Sequence, residues 1–422
     1  MTTPTSTTSK KSEAERRAGN RAVNFFCKRL HHTKGSRLAG HPLVPDPWQA
    51  AWLREVFGTL RPDGQRQYTT AYLEIPKKNG KTTITAGCLL KCLFDENEVG
   101  GEVYSCAAKR DQAGKLFEIM AAMVRGCPAL DVFRGVKTRI YDREKRIYVP
   151  KLDSYYQALS SDANVEDGIN PSAAAVDELH RHRSRDLVDI IEDGMVARDN
   201  PLMFVLTTAG GDQQGAAWDM HEYALGVLDG SIIDPSFHAT VYAAPEEAET
   251  GDEAVWYACN PALVSGAIDI EKVRASYRQA LKSPMRMRAF RRLRLNQWVG
   301  GDGKWLDADE WKRCGMDVFP SDPLKAWAGR ECWGGLDISS TSDFTARAWL
   351  FPRDDAGYDL WVQFFYAKGA VAKRARMAEQ VQEWADQGYI TLTPTDAIDY
   401  AFVAQADRKS TRLNSSHGKL SR

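Results

Sequence analysis

No stretch of this sequence approaches the roughly 18 consecutive apolar residues that a membrane-spanning helix needs. The polar text from Met1 to Asn20 also lacks the apolar segment of a secretory signal. An excess of one charge is missing too: Lys+Arg and Asp+Glu both number 56, for a formal net charge of 0. That excludes a uniformly basic protein that coats nucleic acid, but not an enzyme with a local basic channel. The eight cysteines (Cys27, Cys88, Cys92, Cys106, Cys127, Cys259, Cys314 and Cys332) form no Cys-x-x-Cys pair and no Cys/His cluster at zinc spacing. Most sit in apolar stretches and read as buried free thiols of a reducing compartment, so a soluble intracellular protein is expected. What is present is ordinary for a globular chain: 43% hydrophobic and 27% charged residues over 422 positions. At about 100–200 residues per domain, two or three domains fit.

Residues 1–20 are polar and expected to be disordered. From Trp48 to about Ala244, short apolar runs (Tyr72–Ile75, Val103–Ala107, Ala173–Val176, Leu202–Leu206) alternate with amphipathic stretches such as Thr82–Phe94 and Asp111–Val124. Buried strands alternating with helices predict an α/β fold with a mostly parallel sheet. Acidic, irregular text from Pro245 to Glu253 leads into a helical stretch, Asp269 to Leu295. A second strand set (Trp333–Ile338, Thr345–Phe351, Leu360–Tyr366), followed by a helix from about Ala372 to Gln387, predicts a separate α/β domain. The domains expected are 21–245, a helical linker or lid at 246–300, and 301–406.

The segment Glu74-Ile75-Pro76-Lys77-Lys78-Asn79-Gly80-Lys81-Thr82 follows an apolar strand and precedes a helix. This is the context of a P-loop, where backbone N–H groups and a helix N-terminus cradle phosphate oxygens. Lys81 would reach the β- and γ-phosphates, and the Thr82 hydroxyl would ligate Mg2+. The usual first glycine falls at Ile75, so the motif is degenerate, and alone it also fits a polar turn at a helix start. A second apolar strand, Ala173–Val176, runs into Asp177-Glu178. Asp177 suits the Mg2+-associated role, and Glu178 suits a base that orients the attacking water. Pro47-Trp48-Gln49 lies just before the first amphipathic helix, where Gln49 either bonds adenine or faces solvent. Leu202–Leu206 ends in Thr207-Thr208-Ala209-Gly210, either a sensor of the γ-phosphate or a capped strand end.

Taken in order, PWQ, IPKKNGKT, SCAAKRDQA (Ser105 to Ala113), DGINPSAAAVDELHRH (Asp167 to His182) and TTAG resemble the ATPase signature of the large subunit of tailed-phage terminases. The resemblance implies an ASCE-type P-loop ATPase joined to an RNase-H-like nuclease. It further implies ATP-driven packaging of double-stranded DNA into a procapsid and cutting of the concatemer. The partners would be a portal protein, a small subunit and further copies in a ring, at the portal in the host cytoplasm. The family often has Arg where this chain has Lys77, which puts a cis arginine-finger role there in doubt, since Lys lacks the planar fork. Asp337, in Gly334-Gly335-Leu336-Asp337, resembles the first nuclease carboxylate, one of two or three that hold paired Mg2+ or Mn2+ ions. Asp343 assists or caps a turn, and Asp399 matches a landmark without a catalytic role.

Asp407 to His417 reads DRKSTRLNSSH and resembles a translated sequencing adapter, so 407–422 is expected to be a non-native tail and the nuclease domain partial. A genuine basic tail is the other reading. Arg286, Arg288, Arg291, Arg292 and Arg294 form either a phosphate-contacting surface or a solvated helix face. His180 and His182, with no third ligand nearby, read as local hydrogen-bonding residues. The competing function is another P-loop DNA-dependent ATPase of helicase type. Only one motor core precedes the new domain opening at GGLD, which favours the terminase resemblance.

Overall fold

The computed structural model describes residues 11–405 except 36–37, 97, 108–109, 161–167, 183, 214, 300–310, 312, 316–322, 340–343 and 372–377. Asp343, the start of the Asp167 motif, Lys109 and the 407–422 tail therefore lie outside the described residues. The chain divides into two compact units, Met1–Trp305 and Leu306–Arg422.

In the first unit a helix α1 (Glu13–Arg29) leads to α2 (Pro47–Gly58), β1 (Thr70–Glu74), α3 (Lys81–Asp95), β2 (Glu102–Ala107) and α4 (Arg110–Arg125). Then come α5 (Pro128–Asp131), β3 (Val132–Phe133), β4 (Val136–Lys137), β5 (Arg139–Tyr141), β6 (Arg146–Val149), β7 (Ser154–Ser160) and β8 (Pro171–Asp177). α6 (Asp186–Met195), β9 (Leu202–Thr207), α7 (Ala216–Asp229) and β10 (Phe237–Val241) complete the main layer. An eight-stranded sheet runs β10-β1-β9-β8-β2-β7-β6-β5, parallel from β10 to β7 and antiparallel at β6 and β5. One strand, β9, separates β1 from β8, the order of the ASCE-type ATPase that the resemblance implied.

Side-chain alternation explains why both faces are covered. Ala71, Leu73, Ala173, Ala175, Leu202, Phe204 and Leu206 join one apolar core with α1 to α4. Their neighbours Tyr72, Ala174, Val176, Met203 and Val205 join a second core with α6 and α7. Successive strand residues point to opposite faces, so a strand apolar at every position must be sandwiched between helix layers. The central strand β9 is buried throughout, and β8 is buried up to its half-buried last residue, Asp177.

Residues 13–20 correct the expectation of disorder over 1–20. They belong to α1, whose start is fixed by a capping box in which Glu15 N–H donates to Ser12 Oγ and Ser12 N–H donates to Glu15. The Ser-x-x-Glu signature outweighs the polar composition there. The helical stretch 269–295 is two helices, α10 (Ile270–Ala280) and α11 (Pro284–Arg294), broken where Ser283 caps α11 and Pro284 takes its first turn. With α8 (Glu253–Cys259) and α9 (Pro261–Val264) they enclose a small core around Trp256, Val273 and Phe290.

The second unit holds the sheet β11 (Trp333–Asp337), β12 (Thr345–Pro352), β13 (Tyr358–Ala367) and β14 (Ile390–Thr393), in that order. The first three are antiparallel and β14 runs parallel to β13. Among its helices, Ala378–Asp386 brings Val381 into a core shared with Tyr366 and Ile390.

Candidate nucleotide site and carboxylate strand

The strand ends of β1, β9 and β8 lie side by side, and each carries polar residues sealed from solvent. After β1 the chain turns through Lys78 at φ 79° and Gly80 at φ 86° before α3 begins. Gly80 is favoured by its backbone, and a side chain there would displace the tip of Gln49. Its φ is left-handed, and a Cβ there would stand 2.9 Å from Gln49 Nε2. Gln49 in turn accepts the Asp46 N–H through Oε1 at 3.0 Å. Trp48 packs edge-on against Tyr242 with ring centres 5.7 Å apart.

Lys81, 7% exposed, donates from Nζ to the Ile75 carbonyl at 2.8 Å and to Thr208 Oγ1. Burial pushes its ammonium down to about 8, against the pull of Glu178 and Asp177. Thr208 Oγ1 also donates to the Ile75 carbonyl at 3.1 Å, and Ile75 N–H donates to Thr207 O at 3.2 Å. The lysine loop and the β9 end are thus one hydrogen-bonded unit. Thr82 lies half-buried on the first turn of α3.

Asp177 ends β8, and burial with the adjacent Glu178 pushes its carboxyl up to about 6. Its Oδ1 is buried without a hydrogen-bond partner among the described residues. A buried, unsatisfied carboxylate oxygen beside a strand-end threonine cluster fits a divalent cation, which prefers oxygen donors. Glu178 has the left-handed φ of 54°, a strained value for a non-glycine residue. His180 Nε2 stands 3.2 Å from Glu178 Oε2, and His180 Nδ1 stands 3.2 Å from Thr207 Oγ1. Burial lowers His180 to about 4, so its ring stands beside Glu178 uncharged, and Glu178 Oε2, like Asp177 Oδ1, is buried without a hydrogen-bond partner among the described residues. His182 Nε2 lies 3.4 Å from the Asp177 carbonyl.

The other loop residues face the helices α8 to α11. Lys77 N–H donates to Leu293 O at 3.1 Å. Its half-buried ammonium is lowered by burial and by the cations Arg181, Arg292 and Lys78, and raised by Glu178. Asn79 Nδ2 donates to Pro76 O at 3.1 Å and to Asn260 Oδ1 at 3.0 Å, while its Oδ1 accepts the Ala262 N–H at 3.0 Å. The Asn79 side chain is therefore spent on holding the loop, leaving its backbone for a ligand.

Comparison with known proteins accounts for this arrangement. The family model described as terminase large subunit, ATPase domain, matches residues 47–226, and that described as terminase large subunit, endonuclease domain, matches 231–408. The chain belongs to the terminase large subunit family. It is 29% identical over 393 residues to the terminase large subunit of Enterobacteria phage HK97, covering 91% of this chain and 73% of that one. It is 26% identical over 258 residues to Protein YmfN of Escherichia coli (strain K12), covering 59% of this chain and 56% of that protein. The crystal structure of the HK97 bacteriophage large terminase superposes with a TM-score of 0.58 at 26% identity, covering 93% of this chain and 78% of that one.

As a terminase large subunit, the chain is an enzyme of phage DNA packaging with an ATPase and an endonuclease domain, and both domains imply nucleotide and divalent-metal use. The fold class read from the sequence is borne out. The endonuclease match begins before β10, which this structure places in the ATPase sheet beside β1. No helix among the described residues is long and apolar enough to cross a membrane.

In the terminase's second unit, Asp337 ends β11, a strand exposed along its length at the sheet edge. Among the described residues no group of three or more His, Cys, Asp or Glu stands ready to hold a metal. Asp399 caps the turn that follows it, its Oδ1 accepting the Phe402 N–H at 3.1 Å. In the Arg-rich helix, Arg291 donates to Gln297 Oε1 and to the Glu246 carbonyl, each at 2.8 Å.

The sequence reading missed a buried hub at the end of β1. Glu74 accepts from Tyr72 Oη at 2.6 Å, Asn296 Nδ2 at 3.3 Å and Trp298 Nε1 at 3.1 Å, and His221 Nδ1 lies 2.8 Å away. An acid closing an otherwise apolar strand was the one available signal.

Proposed function

We propose that the rim formed by β1, β9 and β8 binds ATP with Mg2+ and that its hydrolysis drives double-stranded DNA into a procapsid. The observation that carries this reading is the buried Lys81 ammonium, bonded to the β9 threonine, with the unsatisfied Asp177 carboxylate on the next strand. In this reading the backbone from Pro76 through Lys77, Lys78 and Asn79 to Gly80 cradles the phosphates and Lys81 neutralises the β- and γ-oxygens. Thr82 and Asp177 are the groups that would hold the ion. When bound, Mg2+ neutralises charge that develops on the phosphate oxygens. Glu178 orients the attacking water and takes its proton, with the neutral His180 ring beside it. Thr207 and Thr208 register the terminal phosphate, Gln49 meets the adenine, and Lys77 adds a point charge near the transferred group.

Asp337 is proposed as one ligand of the Mg2+ or Mn2+ site that cuts the DNA. A portal protein, a small subunit and further copies in a ring are the proposed partners, at the procapsid portal in the host cytoplasm. Support for these comes from the family. The helicase reading loses ground because an endonuclease domain, not a second motor core, follows the first.

Glu178→Gln tests the reading. ATP affinity should stay within about threefold while turnover falls by about 10²–10⁴. Unchanged hydrolysis removes the base assignment.

A further inference from the structure

Asn296 follows the last helix of the α8–α11 group and is fully buried, with a left-handed φ of 56° that asparagine tolerates better than most residues. Both ends of its amide are engaged. Oδ1 accepts the Ala209 N–H at 2.7 Å, and Nδ2 donates to the Tyr242 carbonyl at 2.9 Å and to Glu74 Oε1 at 3.3 Å. One side chain therefore ties together the C-terminal ends of β9, β10 and β1. Those are the strand that runs into Thr207 and Thr208, the edge strand on the far side of β1, and β1 itself, which launches the lysine loop.

The same peptide that Asn296 grips follows Thr208 directly, and Thr208 bonds the Lys81 ammonium. On the other side, Asn296 continues from α11, and Leu295 N–H donates to Arg291 O while Ala244 N–H donates to Leu295 O. Trp298, two residues on, donates to Glu74 Oε1 and packs its ring where a Cβ on Gly210 would stand, 2.9 Å from it. The bonds from Asn296 to Ala209 and Glu74 are buried, and those to Tyr242 and from Trp298 to Glu74 are partly so, and all are directional, so a displacement of the β9 end has few ways to relax except through the helices.

We infer that Asn296 is a positioning residue that couples the β9 threonines to the α8–α11 lid, with Glu74 as its anchor. The inference rests on the proposed reading of Thr208 as the group that registers the terminal phosphate. In it, Lys81 serves phosphate oxygens and Thr208 together. A change in the terminal phosphate alters the Thr208–Ala209 peptide, and Asn296 passes that change to α11. Lys77 N–H on the Leu293 carbonyl returns the lid position to the lysine loop.

The experiment uses the full chain with Asn296→Gly, which keeps the left-handed backbone accessible and removes only the side chain. Steady-state ATP hydrolysis is measured together with amide exchange over 270–294, comparing a non-hydrolysable ATP analogue with ADP. The wild-type chain should show different lid exchange with the two nucleotides. In Asn296→Gly that difference should vanish, kcat should fall about tenfold or more, and KM should stay within about threefold. A lid difference that persists, or kcat and KM both unchanged, overturns the inference. So does a rise in KM with kcat intact, which would mark a purely structural role.

Thr208→Val separates this inference from the reading beneath it. Loss of the lid response in Thr208→Val but not in Asn296→Gly sinks the coupling role alone. Loss in Asn296→Gly but not in Thr208→Val removes the sensor reading and leaves Asn296 coupling the lid by another route. Should Asn296→Gly fail to fold, Trp298→Phe keeps a ring against Gly210 and deletes one donor to Glu74. It should weaken the lid response at least about twofold, and an undiminished response overturns the inference.

Discussion

The two units treat their acidic strand ends in opposite ways. In the first, Asp177 ends a strand buried on both faces, its carboxyl pushed up to about 6, and Glu74 ends another within a cage of donors. In the second, Asp337 ends an edge strand exposed at every position. The difference teaches that a carboxylate becomes a tuned group only when neighbouring elements remove water from it and replace that water with directed partners. The ATPase rim has that enclosure within its own unit. The β11 carboxylate does not gain it from the described residues.

The comparison can be broken at several points. Lys81→Ala should cost the most, lowering ATP turnover by about 10²–10³, because a preorganised cation in a dry site is deleted. A loss under threefold would mean that the enclosure does not serve phosphate. Asp337→Ala should leave ATP turnover within about twofold, and the 422-residue chain should show no robust metal-dependent plasmid nicking with or without the substitution, because one carboxylate cannot hold two metals. A large loss of ATP turnover in Asp337→Ala would erase the distinction between the units.

The pH response comes next. Asp177 is raised from an ordinary 3.8 to about 6, so its contribution to folding is greatest while protonated and is lost as pH rises through 6. Ion binding needs the carboxylate and runs the other way. Mg2+ affinity, measured by titration, should fall about tenfold for each pH unit below 6. A flat profile from pH 7 to 5 would show that Asp177 is not a ligand. The smallest effect expected is on stability. Asn79→Ala strips buried partners from Asn260 and Ala262 and should cost about 1–3 kcal/mol, read as a lower Tm. No change would mean that the loop is not held by α8 and α9.

Much of the proposed nucleotide rim was legible because its parts are local. A strand, a Gly-Lys-Thr turn and a helix are contiguous, and Ala173–Val176 running into Asp177-Glu178 announces itself as a buried strand with a polar end. The apolar runs at β1, β2, β8 and β9 marked the centre of the sheet. The short strands β3 to β7 and the edge strand β10 were not singled out. β3 to β6 and β10 are brief and partly exposed, and β5, β6 and β7 carry Arg or Tyr in place of an unbroken apolar run, so periodicity was too weak to mark them. The role of Asn79 was read from its place in the loop, yet its side chain answers to Asn260, far along the chain.

The sequence alone determined which residues are candidates to meet a phosphate and which strand layers had to be buried, since unbroken apolar runs and the turn chemistry around Gly80 are written in neighbouring positions. Only the tertiary structure decided that Asn296 would lie against Glu74, Tyr242 and Ala209, and that Asp177 would keep an oxygen unsatisfied. Hydrogen bonds between residues more than fifty positions apart leave no local pattern. Desolvation is a property of the layers that close over a group, not of the group itself.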